Sequence, residues 1–333
     1  MLELPYHKKE RIDILKTKEH ILELLEQYKG STISGSNLST QAGVTRAAVW
    51  KIIKELKSEG YDIASVPSKG YTLEDTSDIV SAEGIKPFLL KEHPLIVRSL
   101  VSSTNTELKR LSADGASDET VMIALEQTDG RGRRGNSFFS PVGGIYISFL
   151  IRPKNITTSD APLITTAAAV AICRAVKNIY NTDLEIKWIN DLFLDRKKVC
   201  GILTEASSSF ENGCVESIVV GAGINLSFPK QGYPAELNDI IGNICGDKTP
   251  NTKNRFCAEL INQFYSIAKN FNSREFLDEY KDRLFILNKK VAVKTENDSF
   301  DATAIDIDRN ACLVVNHNGK EITLNSGEVS IIE

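Results

Sequence analysis

The stretch Gln127–Gly144, QTDGRGRRGNSFFSPVGG, interleaves Arg131, Arg133 and Arg134 with Gly130, Gly132 and Gly135 and then places Phe138 beside Phe139. A run with so little side-chain bulk cannot build core, and guanidinium forks suit phosphate or carboxylate groups, which they grip bidentately. Its glycines predict a backbone that stays mobile until a ligand holds it. Other polar residues stand at the ends of strand-like runs. Ser103, Thr104 and Asn105 fall where a strand gives way to a helix, with hydroxyls and backbone N–H groups pointing outward. Gln127 precedes the arginine loop, Lys187, Asn190 and Asp191 close LEIKWIN, Lys198 and Gly201 begin the next strand, and Asn225 ends GAGIN. Each alone reads as a cap, a turn residue or a solvated lysine. Together they offer hydroxyl, amide, cation and carboxylate groups beside glycine-rich approaches, which is equipment for holding anionic groups together. His93 and His317 have no nucleophile near them in any motif and read as ordinary surface or loop residues.

The elements that must position these groups follow from periodicity. From about Pro87 to Leu287, strand-like runs (LIVRSLV, VMIALEQ, GIYISFLI, LEIKWIN, LFLDRKKVCGILTEA, SIVVGAGINL) alternate with helical ones (TNTELKRLSADG, APLITTAAAVAICRAVKNIY, TKNRFCAELINQFYSIAKNF). FLDRKKV is a polar turn between apolar runs, and strands follow one another without long crossovers. The expectation is an α+β mixed sheet rather than a doubly wound parallel one.

The first 75 residues carry a different pattern. Ile21, Leu24, Leu25 and Tyr28 recur at helical spacing and stop at Gly30; LSTQAGV turns at Gly43; Thr45 caps RAAVWKIIKELKSEG, whose Val49, Ile52, Ile53 and Leu56 share one face. Two short helices joined by a glycine turn predict a helix-turn-helix, and YDIASVPSKGYTL predicts a hairpin wing. Residues 1–75 hold 11 Lys/Arg and 11 Asp/Glu, so net charge gives no nucleic-acid footprint. Distribution does: Arg46, Lys51, Lys54 and Lys69 fall on the second helix and the wing, and small Ala47 and Ala48 allow close approach to a DNA groove. The polar stretch 74–85 marks a boundary.

Length bounds the rest. At 333 residues the chain predicts two or three domains, and 41% hydrophobic with 25% charged residues is an ordinary globular composition. Cys173, Cys200, Cys214, Cys245, Cys257 and Cys312 are scattered with no C-x-x-C pair, the pattern of reduced thiols rather than a disulfide framework or zinc site. The N-terminus lacks a signal-peptide core, and ITTAAAVAIC is too short to span a bilayer, so a cytoplasmic protein with no membrane partner is expected.

The order and spacing of GRGRRG…SP.GG.Y.S, KW.ND, RKK.CGIL.E and VVGAGIN resemble the biotin protein ligases, and the helix-turn-helix with the wing VPSKGYTL resembles the bifunctional subgroup that also represses the biotin operon. Lipoate ligases share that fold but lack the arginine loop. The resemblance implies a winged helix-turn-helix over 1–75, a linker over 76–86, a biotin- and ATP-binding catalytic domain over 87–287 and an SH3-like β-barrel over 288–333, to which LNSGEVSI is similar. It implies formation of biotinyl-5′-AMP and pyrophosphate from biotin and ATP, then transfer of biotin to a lysine of a biotin carboxyl carrier protein. It also implies operator binding as a homodimer. Residue by residue, Ser103, Thr104, Asn105, Gln127, Gly130, Arg131, Gly132 and the Gly201 backbone correspond to biotin contacts, and Lys198 to the cation between biotin carboxylate and phosphate. Arg133 corresponds to a phosphate clamp, Phe138, Lys187, Asn190 and Asn225 to nucleotide contacts, Asn190 and Asp191 to a Mg²⁺ region, and Asp191 to an acceptor of the incoming lysine's proton. Arg46, Ala47, Lys51 and Lys69 correspond to the DNA-reading face. Two departures stand out: Phe138 replaces the usual tryptophan, keeping a stacking face without the indole N–H, and Ile189 replaces the proline of KWPND.

A P-loop hydrolase is excluded because no G-x-x-x-x-G-K-[ST] occurs. The alternative that remains open is a transcription factor whose ligase-like domain only senses biotin; retention of Lys198, Asp191 and Arg133 weighs against it.

Overall fold

The computed structural model describes residues 6–153, 160–208, 215–246, 252–295 and 298–332. Apolar residues at helical spacing fold first into α1 (Tyr6–Gln27), α2 (Gly35–Ala42) and α3 (Arg46–Ser58). Gly43, at φ 65°, ends α2 in the left-handed region, and the Thr45 hydroxyl caps α3 by accepting from Ala48 N–H. Val49, Ile52, Ile53 and Leu56 bury the inner face of α3 against Ile21, Leu24, Leu25 and Leu38. Each buried aliphatic side chain of this kind contributes roughly 1.5–3 kcal/mol, so Leu56→Ala alone would strip much of the contact. Tyr28, expected on the apolar face, is 42% exposed, because the helix ends one residue earlier. The wing is β1 (Ile63–Val66) paired antiparallel with β2 (Gly70–Leu73).

These elements belong to one of two contact-dense units, residues 1–90 with 250–259; the other comprises 91–249 and 260–333. The stretch expected as a linker packs within the first unit: Ser77, Val80, Ser81 and Glu83 are buried around α4 (Ala82–Ile85), and Ser81 N–H donates to Asn254 Oδ1 at 3.1 Å.

In the second unit the chain runs β3 (Leu95–Arg98), α5 (Thr104–Ala113), β4 (Val121–Ala124), β5 (Ile145–Ile151), α6 (Ala161–Tyr180), β6 (Glu185–Lys187), β7 (Asp191–Leu194), β8 (Lys197–Ser208) and β9 (Val215–Ile224). The sheet order is β3-β4-β5-β9-β8-β7-β6, with β3 and β4 parallel and every other pair antiparallel, as the short connections require. The segment Pro162–Tyr180 of α6 is long and apolar enough to cross a membrane by composition, but 72% of it is buried, which marks a core helix packed on β8 and β9. α7 (Lys253–Lys269) and α8 (Phe276–Asp282) follow. The chain ends in β10 (Lys290–Lys294), β11 (Ser299–Ile307), β12 (Leu313–His317), β13 (Lys320–Leu324) and β14 (Glu328–Ile331), an antiparallel sheet in the open order β13-β12-β11-β10-β14. Trp188 Nε1 donates to the Ala311 carbonyl at 2.9 Å, tying the KW.ND turn to this sheet. The five described cysteines are free, three of them buried; Cys214 lies outside the described residues.

Candidate functional site

Four chain segments meet around an open cavity of about 270 Å³ in the second unit: the start of α5, the arginine loop, the β6–β8 region and β9. Its floor is sheet. Gly201, Gly221 and Gly223 line it because side chains there would collide: a Cβ on Gly221 would stand 2.0 Å from Asn105 Oδ1, and one on Gly223 2.3 Å from the Phe138 ring.

One wall is a hydrogen-bonded set. Ser103 caps α5, and its hydroxyl accepts from Thr106 N–H. Thr104 N–H donates to Gln127 Oε1 at 2.8 Å, Gln127 Nε2 donates to Ser140 Oγ at 2.9 Å, and Ser140 Oγ donates to the Phe138 carbonyl at 2.8 Å. Ser103, Thr104 and Asn105 are buried rather than turned outward, because the helix start is roofed by the loop and the sheet.

The opposite wall is cationic. Lys198 Nζ lies 2.7 Å from Asp191 Oδ1, an off-axis ion pair in which that carboxylate oxygen has a charge beside it but no aligned hydrogen-bond donor. The same ammonium sits 5.9 Å from the centre of the Phe138 ring. Arg133 Nη1 donates to Asn190 Oδ1 at 3.1 Å, and Asn190 Nδ2 donates to the Ile202 carbonyl. Burial first, and then the neighbouring Arg134, pull the Arg133 guanidinium below the usual arginine value. Lys187 completes this side.

The arginine loop is a small hairpin. Phe138 N–H donates to the Gly130 carbonyl at 2.8 Å, Gly132 N–H to the Asn136 carbonyl at 2.7 Å, and Arg131 bridges Ser137. Only Gly135, at φ 78° with open space around it, is needed for its backbone conformation; at Gly130 a Cβ would strike the Phe138 carbonyl at 2.3 Å. Arg131 lines the cavity but turns its half-exposed guanidinium to Asp129.

The structure thus brings Ser103, Thr104, Asn105, Gln127, Arg131, Gly132, Arg133, Phe138, Lys187, Asn190, Asp191, Lys198 and Gly201 to one cavity. Gly130 and Asn225 are not among its lining residues: Gly130 sits in the base of the hairpin, and Asn225, buried, donates its amide to the Lys198 carbonyl. His93, expected at the surface, lies in a loop but is buried and stacked on Tyr265 at 4.5 Å, because Glu119 and that ring enclose it. Sequence reasoning missed Glu328 and Ser330, which β14 adds to the lining, with Glu328 Oε1 3.6 Å from Arg134 Nη1. No motif marks them, though LNSGEVSI contains both.

On the first unit Arg46, Ala47, Lys51, Lys54 and Lys69 are exposed, and no ion pair among the described residues engages these four cations. Trp50, also missed, is 59% exposed on the same helix with Lys54 Nζ 5.5 Å from its ring centre. A large bare aromatic beside cations, one turn from the helix start, suits a groove better than water.

A helix-turn-helix with an exposed cationic helix, together with a mixed-sheet pocket that can set cations between two anions, defines a ligase of the biotin/lipoate type carrying a DNA-binding module. Residues 97–225 match the biotin/lipoate A/B protein ligase family, and 17–72 match an HTH domain family. The chain is 36% identical over 228 residues to the bifunctional ligase/repressor BirA of Bacillus spizizenii, covering 67% of this chain and 69% of that one. It is 31% identical over 199 residues to the protein of the same name from Escherichia coli, covering 60% of each. Among solved structures it is similar to the biotin protein ligase from Aquifex aeolicus in complex with biotin and ATP, with TM-score 0.60 and 25% identity over 72% of this chain and 98% of that one. The chain belongs to the bifunctional ligase/repressor family.

Proposed function

We infer that this protein joins biotin to ATP, giving biotinyl-5′-AMP and pyrophosphate, and passes biotin to a lysine of a biotin carboxyl carrier protein. With adenylate bound it represses biotin genes through its helix-turn-helix. The observation that carries the ligase reading is the cavity with Lys198, Arg133 and Lys187 on one side and the Thr104–Gln127 wall on the other. A carboxylate and an α-phosphate repel as they approach, and preorganised cations lower that barrier most where charge develops.

In this reading Ser103, Thr104, Asn105, Gln127, Arg131, Gly132 and Gly201 hold biotin, with Gly130 shaping the loop. Lys198 leaves Asp191 to sit between carboxylate and phosphate, and Arg133 clamps the phosphate. Phe138, Lys187 and Asn190 hold the nucleotide, with Asn225 supporting the Lys198 strand. The arginine loop closes over the bound pair and excludes water, which protects a mixed anhydride from hydrolysis. In the second step Asp191 takes the proton of the incoming lysine amine, which attacks the biotinyl carbonyl while AMP leaves. Mg²⁺ supplies charge neutralisation on the ATP phosphates when bound. Asn190 and Asp191 offer it two oxygens, and among the described residues no cluster of three acidic, His or Cys ligands exists, so these residues fit a nucleotide-borne ion rather than a resident site.

Residues 1–75 then read DNA through Arg46, Ala47, Lys51 and Lys69, with 76–86 as connector, 87–287 as the ligase and 288–333 as an SH3-like end domain supported by its five antiparallel strands. One winged helix covers too little DNA for high specificity, so a homodimer on a two-part operator is the working form, in the cytoplasm. Biotin-dependent pyrophosphate release tests the ligase. Operator binding by anisotropy at fixed salt, with and without biotinyl-AMP, tests the repressor. Absence of pyrophosphate release with intact adenylate-dependent DNA binding would leave a sensor in place of an enzyme.

A further inference from the structure

Glu205, on β8, does not line the cavity, yet it is the charged end of a chain of contacts that runs into it. Its carboxylate is ion-paired to Lys109 of α5, and through Oε2 it accepts Asn105 Nδ2 at 2.8 Å. Asn105 Nδ2 also reaches the Leu203 carbonyl at 3.2 Å, so the amide hydrogens face two acceptors and Asn105 Oδ1 faces the other way. There Ser148 Oγ lies 2.7 Å from Asn105 Oδ1 and 2.8 Å from Thr104 Oγ1, and Thr104 Oγ1 lies 3.1 Å from Gln127 Oε1. Gln127 Oε1 already accepts Thr104 N–H at 2.8 Å.

Two hydroxyls carry two protons, but these three contacts would need three. A carboxylate can only accept. With Glu205 holding the Asn105 amide hydrogens, Ser148 must donate to Asn105 Oδ1, which would otherwise be an orphaned buried acceptor. Ser148 Oγ then accepts the Thr104 proton. The longest of the three contacts is the one left without a proton, and Gln127 Oε1 keeps a lone pair facing the cavity. If Asn105 were reversed, every proton would shift one place, Thr104 would donate to Gln127, and that oxygen would be filled.

We propose that Glu205, with Lys109, is a positioning residue that sets the hydrogen-bond polarity of Asn105, Ser148 and Thr104 and so keeps the Gln127 carbonyl open to an N–H donor of the bound ligand. The inference rests on the ligase reading, in which that donor belongs to the cyclic urea of biotin. It assigns a role in biotin recognition to two residues that never touch biotin.

Glu205→Gln makes the test sharp. Glutamine has one carboxamide oxygen for two donors, and the Lys109 ammonium takes it, turning the glutamine NH₂ toward Asn105 and favouring the reversed chain. The full-length variant is expected to raise the biotin KM at least 5-fold in the pyrophosphate-release assay, with kcat and the ATP KM changed less than 2-fold. Removing the competing cation in Lys109→Met/Glu205→Gln frees the glutamine oxygen for Asn105, and biotin KM should return most of the way to wild type. A merely structural role for the ion pair predicts the opposite, a double variant worse than the single. A biotin KM within 2-fold of wild type for Glu205→Gln, a parallel rise in ATP KM, or no recovery in the double variant would overturn the proposal. Should Glu205→Gln not fold, Ser148→Ala takes its place: it removes the central hydroxyl, leaves Thr104 to donate to Gln127, and should raise biotin KM, an unchanged value overturning the proposal equally. A wild-type chain that releases no pyrophosphate with biotin would overturn the ligase reading and this inference with it.

Discussion

The helix-turn-helix unit and the sheet unit place their chemistry on opposite sides of the solvent boundary. In the first, Arg46, Lys51, Lys54, Lys69 and Trp50 stand exposed on a helix and wing whose other face is packed core. In the second, Thr104, Asn105 and Ser148 are buried and hydrogen-bonded to one another, and the cations opposite them are held by Asp191 and Asn190. Exposed groups cost the fold little to present, so function in the first unit separates from stability. Buried polar groups are satisfied only as a set, so in the second unit the two are coupled.

The largest test of that contrast is Lys198→Ala. One charge-assisted contact in the transition state is worth roughly 2–4 kcal/mol, so adenylate formation should fall by about 30- to 1,000-fold. The assay is biotin-dependent pyrophosphate release, and a rate within a few-fold of wild type would remove Lys198 from the reacting centre. Next is Gly221→Ala, which puts a methyl group 2.0 Å from Asn105 Oδ1 in a wall that cannot give. Overpacking of this kind costs about 1–3 kcal/mol. We expect a lower melting temperature together with a higher biotin KM, measured by thermal unfolding and kinetics on one preparation. A change in only one of them would break the coupling between site and fold.

Trp50→Ala should do the reverse. Loss of an exposed groove contact weakens operator binding by about 1–2 kcal/mol, roughly 5- to 30-fold, while melting temperature and pyrophosphate release stay put. Anisotropy at constant salt reads the first, and any fall in ligase rate would argue against the separation.

The smallest effect concerns pH. Burial is the first cause holding Glu26, Asp78 and Glu83 in the first unit above their ordinary values, and burial likewise holds His93 in the second unit below 6.5. A raised carboxyl binds its proton more tightly folded than unfolded, so acidification through the raised values stabilises the first unit. A depressed imidazole binds its proton less tightly folded, so stability from neutral His93 is lost as pH falls below 6.5. From pH 7 to pH 5, hydrogen exchange corrected for intrinsic rates should show protection rising in residues 20–85 and falling around His93. Changes of the same sign in both would contradict it.

The same boundary explains what was legible in the sequence. Val49, Ile52, Ile53 and Leu56 announce α3 because burial on one side imposes a period, and Thr45 and Gly43 announce its ends because capping is local. Lys187, Asn190, Asp191 and Lys198 were readable because strand ends place polar groups in short motifs. Ser148 was not: in GIYISFLI it is one hydroxyl in an apolar strand, and its partners lie 43 and 44 residues away. Glu205 passed as a solvated strand residue, and Glu328 and Ser330 reach the cavity only through a sheet formed by the last strand. Asn225, placed at the nucleotide by resemblance, faces a backbone carbonyl instead. What periodicity cannot carry is register, and register decides which distant hydroxyl meets which amide.

The Lys198–Asp191 ion pair bears on timing. Asp191 cannot serve as a proton acceptor while an ammonium rests 2.7 Å from its oxygen, since that neighbour favours the bare carboxylate and occupies its approach. Lys198 departs only when a stronger anion arrives, and that anion is the one consumed in making the adenylate. The carboxylate is therefore uncovered by the first reaction and available for the second. An amine that wandered into an empty pocket would find its proton acceptor already engaged, so the two half-reactions are kept in sequence by one lysine changing partners.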